Sequence, residues 1–376
     1  MSRLRINWIL PAANMAGGTK SNRLIAEAMV RRGHDVCIAY PDVPVAWPSL
    51  RHPRAVLRRC WRGWLTRSKQ RHHLEESTAT LLPVLYLPVR ANDVPDADVT
   101  IATWWQTMEW IRDWPSSKGI KAYFIRHYEL HGGDPERVKA TYHLPVQKLV
   151  IARWLQRLMR EEFADPNAIL VPNGVDWNQF NSTPRGKAAI PTVGMLYGRQ
   201  PWKGCDTAFA ALLRVQQQLA NLRVIVFGSA PLGRHTRLPA NLEYHLRPAQ
   251  NVIPKLYRSS DCWLVCSTSE GFGMPGLEAA ACRCPIVSTR CGGPEDYVED
   301  GISGRLVPVG DERAMADATL DILRLDEPAW RKMSEASYSI ARRFDWDRSA
   351  EILEATLVRI VERARVEGTA AAAAAT

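Results

Sequence analysis

Nowhere in the 376 residues does an apolar run approach the roughly 18 residues of a bilayer-spanning helix, which argues against an integral membrane protein. The start, MSRLRINWILPAANMAGG, lacks the apolar stretch of a secretory leader and reads as a charged edge followed by a short strand, so a cytoplasmic protein is expected. The eight cysteines, at 37, 60, 205, 262, 266, 282, 284 and 291, follow neither a disulfide framework nor paired zinc knuckles. Reduced, buried thiols and no metal are therefore expected, the Cys282/Cys284 pair included. With 46% hydrophobic and 23% charged residues, the composition also excludes collagen, general disorder and a small disulfide-stapled scaffold.

Acid is scarce where base is concentrated. Residues 1–180 carry 25 Lys+Arg against 17 Asp+Glu, and the remainder 24 against 22, so the net charge of +10 resides mainly in the first half. Residues 51–71 hold eight basic residues and no acid, with Leu57, Trp61, Trp64 and Leu65 at helical spacing. Arg58, Arg59, Trp61, Arg62 and Trp64 are the candidates for contact with an anionic membrane surface. The alternative is a solvated helix with its apolar stripe in the core. A nucleic-acid partner is not expected, because no reading module accompanies the charge.

What is there is an alternation of short apolar runs and helical patterns. Residues 4–10, a glycine-containing turn, a helical pattern at 19–32 and a second run at 36–40 make a βαβ opening. Further strands are predicted at 82–87, 99–103, 122–125, 148–152 and 168–171, and after a Pro/Gly/Asn/Ser stretch the pattern restarts at 192–197, 222–227, 262–266 and 286–289. The class is α/β: two doubly wound Rossmann-like domains facing a central cleft, where open parallel sheets place their ligands. The domains are predicted at 1–183 and 184–345, with a last helix at 346–367 and a frayed tail at 368–376.

The densest chemistry is SEGFGMPGLE at 269–278, directly after the strand CWLVC. Gly271 and Gly273 permit a sharp turn, Pro275 suits the first turn of a helix, and the amides there face an incoming ligand. Glu270 and Glu278 border the same place; carboxylates repel phosphate, so sugar or ribose hydroxyls are their natural partners. Upstream, Arg199 and Lys203 follow a strand and supply cations. Gly17 and Gly18 lie where the first strand hands over to its helix, and YFIRHYELHGG places Arg126, His127, Glu129 and His131 just past another strand. Trp104, Trp105, Trp110 and Trp114 would line a sugar groove or pack the core.

The run Glu270-Gly-Phe-Gly-Met-Pro with Leu277, Glu278 and Ala279, together with Val171-Pro-Asn-Gly-Val-Asp176 and Phe180, resembles the family-four retaining glycosyltransferases of the GT-B fold, glycosyltransferase group 1. Gly198, Arg199, Lys203, Gly204, Phe344 and Trp346 extend the resemblance over residues 168–350, and it is looser in the first half. It implies that Arg199 and Lys203, with Gly17 and Gly18, hold a donor diphosphate; that Glu270, Phe272, Gly273 and Met274 hold the transferred sugar; and that Glu278 takes the ribose. His127, in preference to His131, would stand with Glu270 at the reacting carbon, and Arg126 and Glu129 are acceptor-side candidates; from its place in the alternation, after the run 242–246, and not from the resemblance, Arg247 would border the base pocket. It further implies that the final helix packs back on the first domain and that no cofactor is needed beyond the nucleotide diphosphate sugar.

The resulting expectation is a metal-independent hexosyl- or deoxyhexosyltransferase acting on a glycan or lipid-linked acceptor in surface polysaccharide or glycolipid assembly. It would be cytoplasmic, with a peripheral membrane contact through residues 51–71. The other reading is a non-catalytic nucleotide-sugar- or glycan-binding protein of the same fold.

Overall fold

In the computed structural model, which describes residues 3–42, 72–84, 87–233 and 237–374, the apolar runs become parallel strands. Strand β1 (Arg5–Ile9) leads into helix α1 (Gly17–Arg31), then β2 (Asp35–Pro41), β3 (Thr80–Val84) and β4 (Val99–Ala102). Helix α2 (Trp105–Ile111), β5 (Ile120–Ile125), α3 (Pro135–Tyr142), β6 (Gln147–Val150), α4 (Arg153–Glu162) and β7 (Ile169–Leu170) follow. The sheet order is β3-β2-β1-β4-β5-β6-β7, every pair parallel. Buried on both faces, β4 and β5 read as near-continuous apolar runs and not as alternation.

The second sheet contains β8 (Thr192–Tyr197), β9 (Arg223–Gly228), β10 (Leu242–Leu246), β11 (Cys262–Val265), β12 (Ile286–Thr289) and β13 (Gly304–Val307), in the order β10-β9-β8-β11-β12-β13 and again all parallel. Around it lie α5 (Cys205–Gln218), α6 (Ile253–Arg258), α7 (Met274–Ala281), α8 (Glu312–Arg324) and α9 (Glu327–Ala341). Val193, Met195, Val224, Val226, Leu264 and Val287 of the strands share a core with Phe209 and Leu212 of α5 and with Met315 and Ile322 of α8. Gly194 interrupts β8 because the Trp263 ring fills its side-chain position, 2.1 Å from where a Cβ would stand. In both sheets the strand order reverses beside the first strand, at β1/β4 and at β8/β11, and these are the switch points where such sheets take ligands.

The chain divides into Met1–Asn173 with Trp346–Thr376, and Gly174–Asp345. The junction thus falls at Asn173/Gly174 and not at 183/184. The intervening segment is pinned to the second unit: the buried Asp261 carboxylate accepts from the amides of Ala188 (2.7 Å) and Thr192 (2.9 Å), and Lys187 Nζ donates to the carbonyls of Leu323 and Leu325. Val175 also donates to the carbonyl of Phe344 at 3.1 Å.

The terminal helix α10 (Trp346–Ala374) belongs to the first unit and runs past 367, where a frayed tail was expected. Its Glu354, 3% exposed, accepts from the Arg32 guanidinium and, at 3.0 Å, from His34 Nε2. The His34 tautomer follows from its other nitrogen, since Nδ1 accepts from the Leu4 amide at 3.1 Å. Residues 43–71, including Arg58, Arg59, Trp61, Arg62 and Trp64, lie outside the described residues. Among the described residues no helix is long and apolar enough to cross a membrane.

Candidate active site

At the β8/β11 switch point, two turns converge because their strands are neighbours. The chain leaves β8 through Gly198 and Arg199, makes a short helical turn over Pro201–Lys203 and enters α5. Gly204 caps α5 at φ +60°, and an added Cβ would lie 1.9 Å from the Cys266 carbonyl oxygen, so only glycine lets α5 begin so close to the end of β11. That closeness brings Lys203 Nζ to 2.6 Å from Glu270 Oε1. The same oxygen accepts from Ser267 Oγ at 2.6 Å.

Glu270 is held from both sides. Its amide donates to the Cys291 carbonyl at 2.8 Å, and its carbonyl accepts from the Gly293 amide at 3.1 Å, so it acts as a one-residue extension of the sheet beside Gly292. After it the chain turns through Gly271 and Phe272 to Gly273, whose φ of +79° places it as the cap of α7 with no side-chain cap. The Tyr297 hydroxyl donates to the Gly273 carbonyl at 2.7 Å and also occupies the space a side chain at Gly276 would need. Glycine at 276 is thus a packing requirement.

The sequence-predicted residues do not all present side chains to this place. Phe272 is buried against Tyr297 and Phe344, with ring centroids 5.9 and 5.6 Å apart, so only its backbone is available to a ligand. Met274 begins α7 and is half-buried. Glu278, one turn on, accepts from the Tyr257 hydroxyl at 3.1 Å. Arg199 donates to the Pro231 carbonyl from Nε (3.3 Å) and from its terminal nitrogen (3.2 Å), while Arg247, at φ +50°, donates to the Ser229 carbonyl at 2.9 Å. Both guanidiniums therefore grip the loop that follows β9. Ser267, Tyr257 and Tyr297, which position the named carboxylates and the glycine cap, were not singled out in the sequence; no local pattern marks them.

In the first unit, Gly17 and Gly18 open α1 after β1, and a side chain at either would meet nothing within 4 Å. His127 and His131 form one cluster, their rings 4.9 Å apart, with His127 against Trp154 and His131 against Trp104. His127 Nδ1 lies 2.9 Å from the Tyr128 carbonyl. Arg126 is buried and donates to Ser21 Oγ and Asn173 Oδ1, each at 2.6 Å, and burial pushes its pKa down to about 9. Glu129 is fully buried and accepts from the Trp105 amide (2.6 Å) and the Tyr123 hydroxyl (2.9 Å); burial pushes its carboxyl up to about 8. Both of these acceptor-side candidates therefore also tie the interior of this unit together. Trp105 is likewise core, at 2% exposure.

Residues 188–325 match the glycosyl transferases group 1 family, the group that the linker and glycine-turn motifs resemble. The D-inositol 3-phosphate glycosyltransferase of Mycolicibacterium paratuberculosis is 30% identical over 234 residues, 56% of this chain and 52% of that protein. The enzyme of the same name from Saccharomonospora viridis is 32% identical over 246 residues, 59% of this chain and 56% of that protein. The chain thus spans about half the length of the curated relatives it matches. Among solved structures, sucrose-phosphate synthase from Thermosynechococcus elongatus superposes with a TM-score of 0.70 at 18% identity, covering 96% of this chain and all of that one (100%). Anabaena HepE in complex with UDP-glucose also gives 0.70, at 16% identity, covering 95% of this chain and 100% of that one. The fold is the two-domain α/β architecture of the GT-B glycosyltransferases.

Proposed function

We propose that this GT-B-fold chain, with its group 1 glycosyltransferase segment at 188–325, is a retaining glycosyltransferase that moves a hexosyl or deoxyhexosyl unit from a nucleotide diphosphate sugar. The observation that carries the reading is the Lys203–Glu270 pair at the carboxyl ends of β8 and β11, set beside a glycine turn and the start of α7. A diphosphate arriving there would draw the Lys203 ammonium to its oxygens, and Glu270, released, would accept from hydroxyls of the sugar. Charge growing on the leaving diphosphate would be met by Lys203, by Arg199 once it leaves Pro231, and by the positive end of the α7 dipole, a set that needs no metal. Glu278 would take the ribose hydroxyls, and Arg247 would border the base.

The acceptor is proposed to be a glycan or lipid-linked sugar of surface polysaccharide or glycolipid assembly, with His127 as the first unit's candidate beside the acceptor hydroxyl. The relatives named for D-inositol 3-phosphate make a phosphorylated polyol a second acceptor class to assay. A peripheral membrane contact through residues 51–71 belongs to the same proposal. The test is turnover across a panel of UDP-, ADP- and GDP-sugars without added metal, comparing wild type with Lys203→Ala and Glu278→Ala. Release of one nucleoside diphosphate, with the anomeric configuration retained and loss of release in both variants, is the expected result. Selective binding without turnover against any acceptor would move the reading to a nucleotide-sugar-binding protein, and no donor binding by the folded chain would refute both.

A further inference from the structure

Two thiols adjoin the Lys203–Glu270 pair. Cys205 is the first residue of α5, and Cys266 follows the last residue of β11, one position before Ser267. Cys266 Sγ donates to the Lys203 carbonyl at 3.1 Å, Cys205 Sγ is 3.9 Å from the same oxygen, and the two thiols hydrogen-bond to each other. Their backbones are in close contact as well, because Gly204 sits against the Cys266 carbonyl.

The surroundings of Cys205 favour a thiolate. It opens a 14-residue helix that has no side-chain cap, the Gly198 amide donates to its sulfur at 3.4 Å, and the Lys203 charge is nearby. Its acidity is strengthened, first by the Cys266 hydrogen bond, while Cys266 is pushed the other way as the proton-holding partner. The remaining described thiols differ: burial pushes Cys282 and Cys291 up to about 12 and raises Cys37, Cys262 and Cys284 as well. At 7% exposure Cys205 retains a small opening to solvent.

We infer that Cys205 and Cys266 are a hydroperoxide-sensitive dithiol whose oxidation exchanges the thiol hydrogen bond on the Lys203 carbonyl for a covalent link two residues further on, and so resets the turn that carries the ammonium. In the first step the Cys205 thiolate attacks one peroxide oxygen, the O–O bond breaks, and the departing oxygen takes a proton to leave as water or alcohol. Cys205 is then a sulfenic acid. In the second step the Cys266 sulfur attacks the Cys205 sulfur, the S–O bond breaks, and the hydroxyl leaves as water with the Cys266 proton. The dithiol loses two electrons, the peroxide gains them, and the product is a disulfide. That product has no S–H to donate to the Lys203 carbonyl and instead ties Cys205 covalently to Cys266, so the turn, still held by the Thr268 amide on the Trp202 carbonyl at 2.8 Å, must shift and carry the Lys203 ammonium with it. Only this last consequence rests on the proposed function.

The experiment treats the full reduced chain with hydrogen peroxide, quenches with N-ethylmaleimide, and maps the peptides by mass. Expected are a Cys205–Cys266 cross-link reversed by dithiothreitol, a dimedone-trappable sulfenic acid at Cys205 in Cys266→Ser, and an unchanged cross-link in Cys282→Ser. Cys205→Ala is expected to leave Cys266 alkylatable after peroxide. Oxidation confined to other cysteines, or untouched Cys205 in the folded protein, overturns the site. Binding of UDP, ADP and GDP is followed by calorimetry on the same samples, with about tenfold weakening on oxidation as the expected loss of one charge-assisted contact, restored by dithiothreitol. A cross-link with unchanged affinity overturns the coupling to Lys203. If the reduced chain binds none of the three, the proposed function fails, and the peptide map alone still decides the dithiol.

Discussion

Replacing Glu270 by glutamine should tighten the binding of a bare nucleoside diphosphate while impairing use of the whole donor. In the free protein the Lys203 ammonium lies 2.6 Å from Glu270 Oε1, with side chains 28% and 15% exposed, so a diphosphate must compete with a carboxylate for its cation. Unit charges at that distance attract by about 1.6–6 kcal/mol for an effective dielectric of roughly 80 to 20. Partial exposure and desolvation cut the net value to about 1.5 kcal/mol, close to tenfold in affinity. Glutamine keeps an acceptor for Ser267 Oγ, so the turn stays in place and the change isolates the charge. Calorimetric titration with UDP, ADP and GDP is therefore expected to show about tenfold tighter binding in Glu270→Gln, with an advantage that shrinks as salt rises. Lys203→Ala should weaken binding by at least as much, and the double variant should resemble Lys203→Ala. Unchanged or weaker binding in Glu270→Gln would show that the ion pair does not compete with the diphosphate.

Three further outcomes concern the frame of the molecule. Burial lifts the Glu129 carboxyl from 4.5 to about 8, so both states hold the proton at low pH, and above about 4.5 only the unfolded chain releases it. Stability should therefore fall as pH rises from about 5 toward 8 by more in wild type than in Glu129→Gln, read from urea midpoints; parallel pH profiles would refute this. Gly204→Ala should cost more than the ~1–2 kcal/mol of left-handed strain, because its Cβ meets the Cys266 carbonyl at 1.9 Å. Gly33→Ala, at φ +91° with nothing within 4 Å, should cost about that strain alone, and equal losses in chemical denaturation would contradict the steric account. Glu354→Ala leaves His34 Nε2–H without its acceptor while the partly exposed Arg32 rehydrates, so a loss of about 3 kcal/mol is expected. Faster hydrogen exchange in the terminal helix should accompany it.

The parts of the fold legible in the sequence are those whose burial is apolar and local. Thr192–Tyr197 and Ile286–Thr289 stand as strands where their apolar runs predict them, and α1 starts two residues before its predicted pattern. Helix α9 was not predicted because its buried face is partly serine: Ser334 and Ser337 donate to the carbonyls of Arg283 and Cys284 and do not read as apolar. Strand β13, half of it only partly buried and opened by Gly304, carries too weak a pattern to register. Lys203 and Glu270 were each legible from motif context, but their contact was not. It depends on β8 and β11 being neighbours, a property of strand order that joins residues 67 positions apart. The grip of Arg199 and Arg247 on the carbonyls after β9 is invisible for the same reason.

The return of Trp346–Thr376 to the first unit makes residues 174–345 an insertion within another folding unit. During synthesis the inserted unit is complete while the first still lacks its last helix, so the order of maturation should be the reverse of the order of translation for these two bodies. Until Glu354 emerges, Arg32 and His34 wait without their partner, and a released chain truncated after residue 345 should carry a protease-resistant second unit and a protease-sensitive first one.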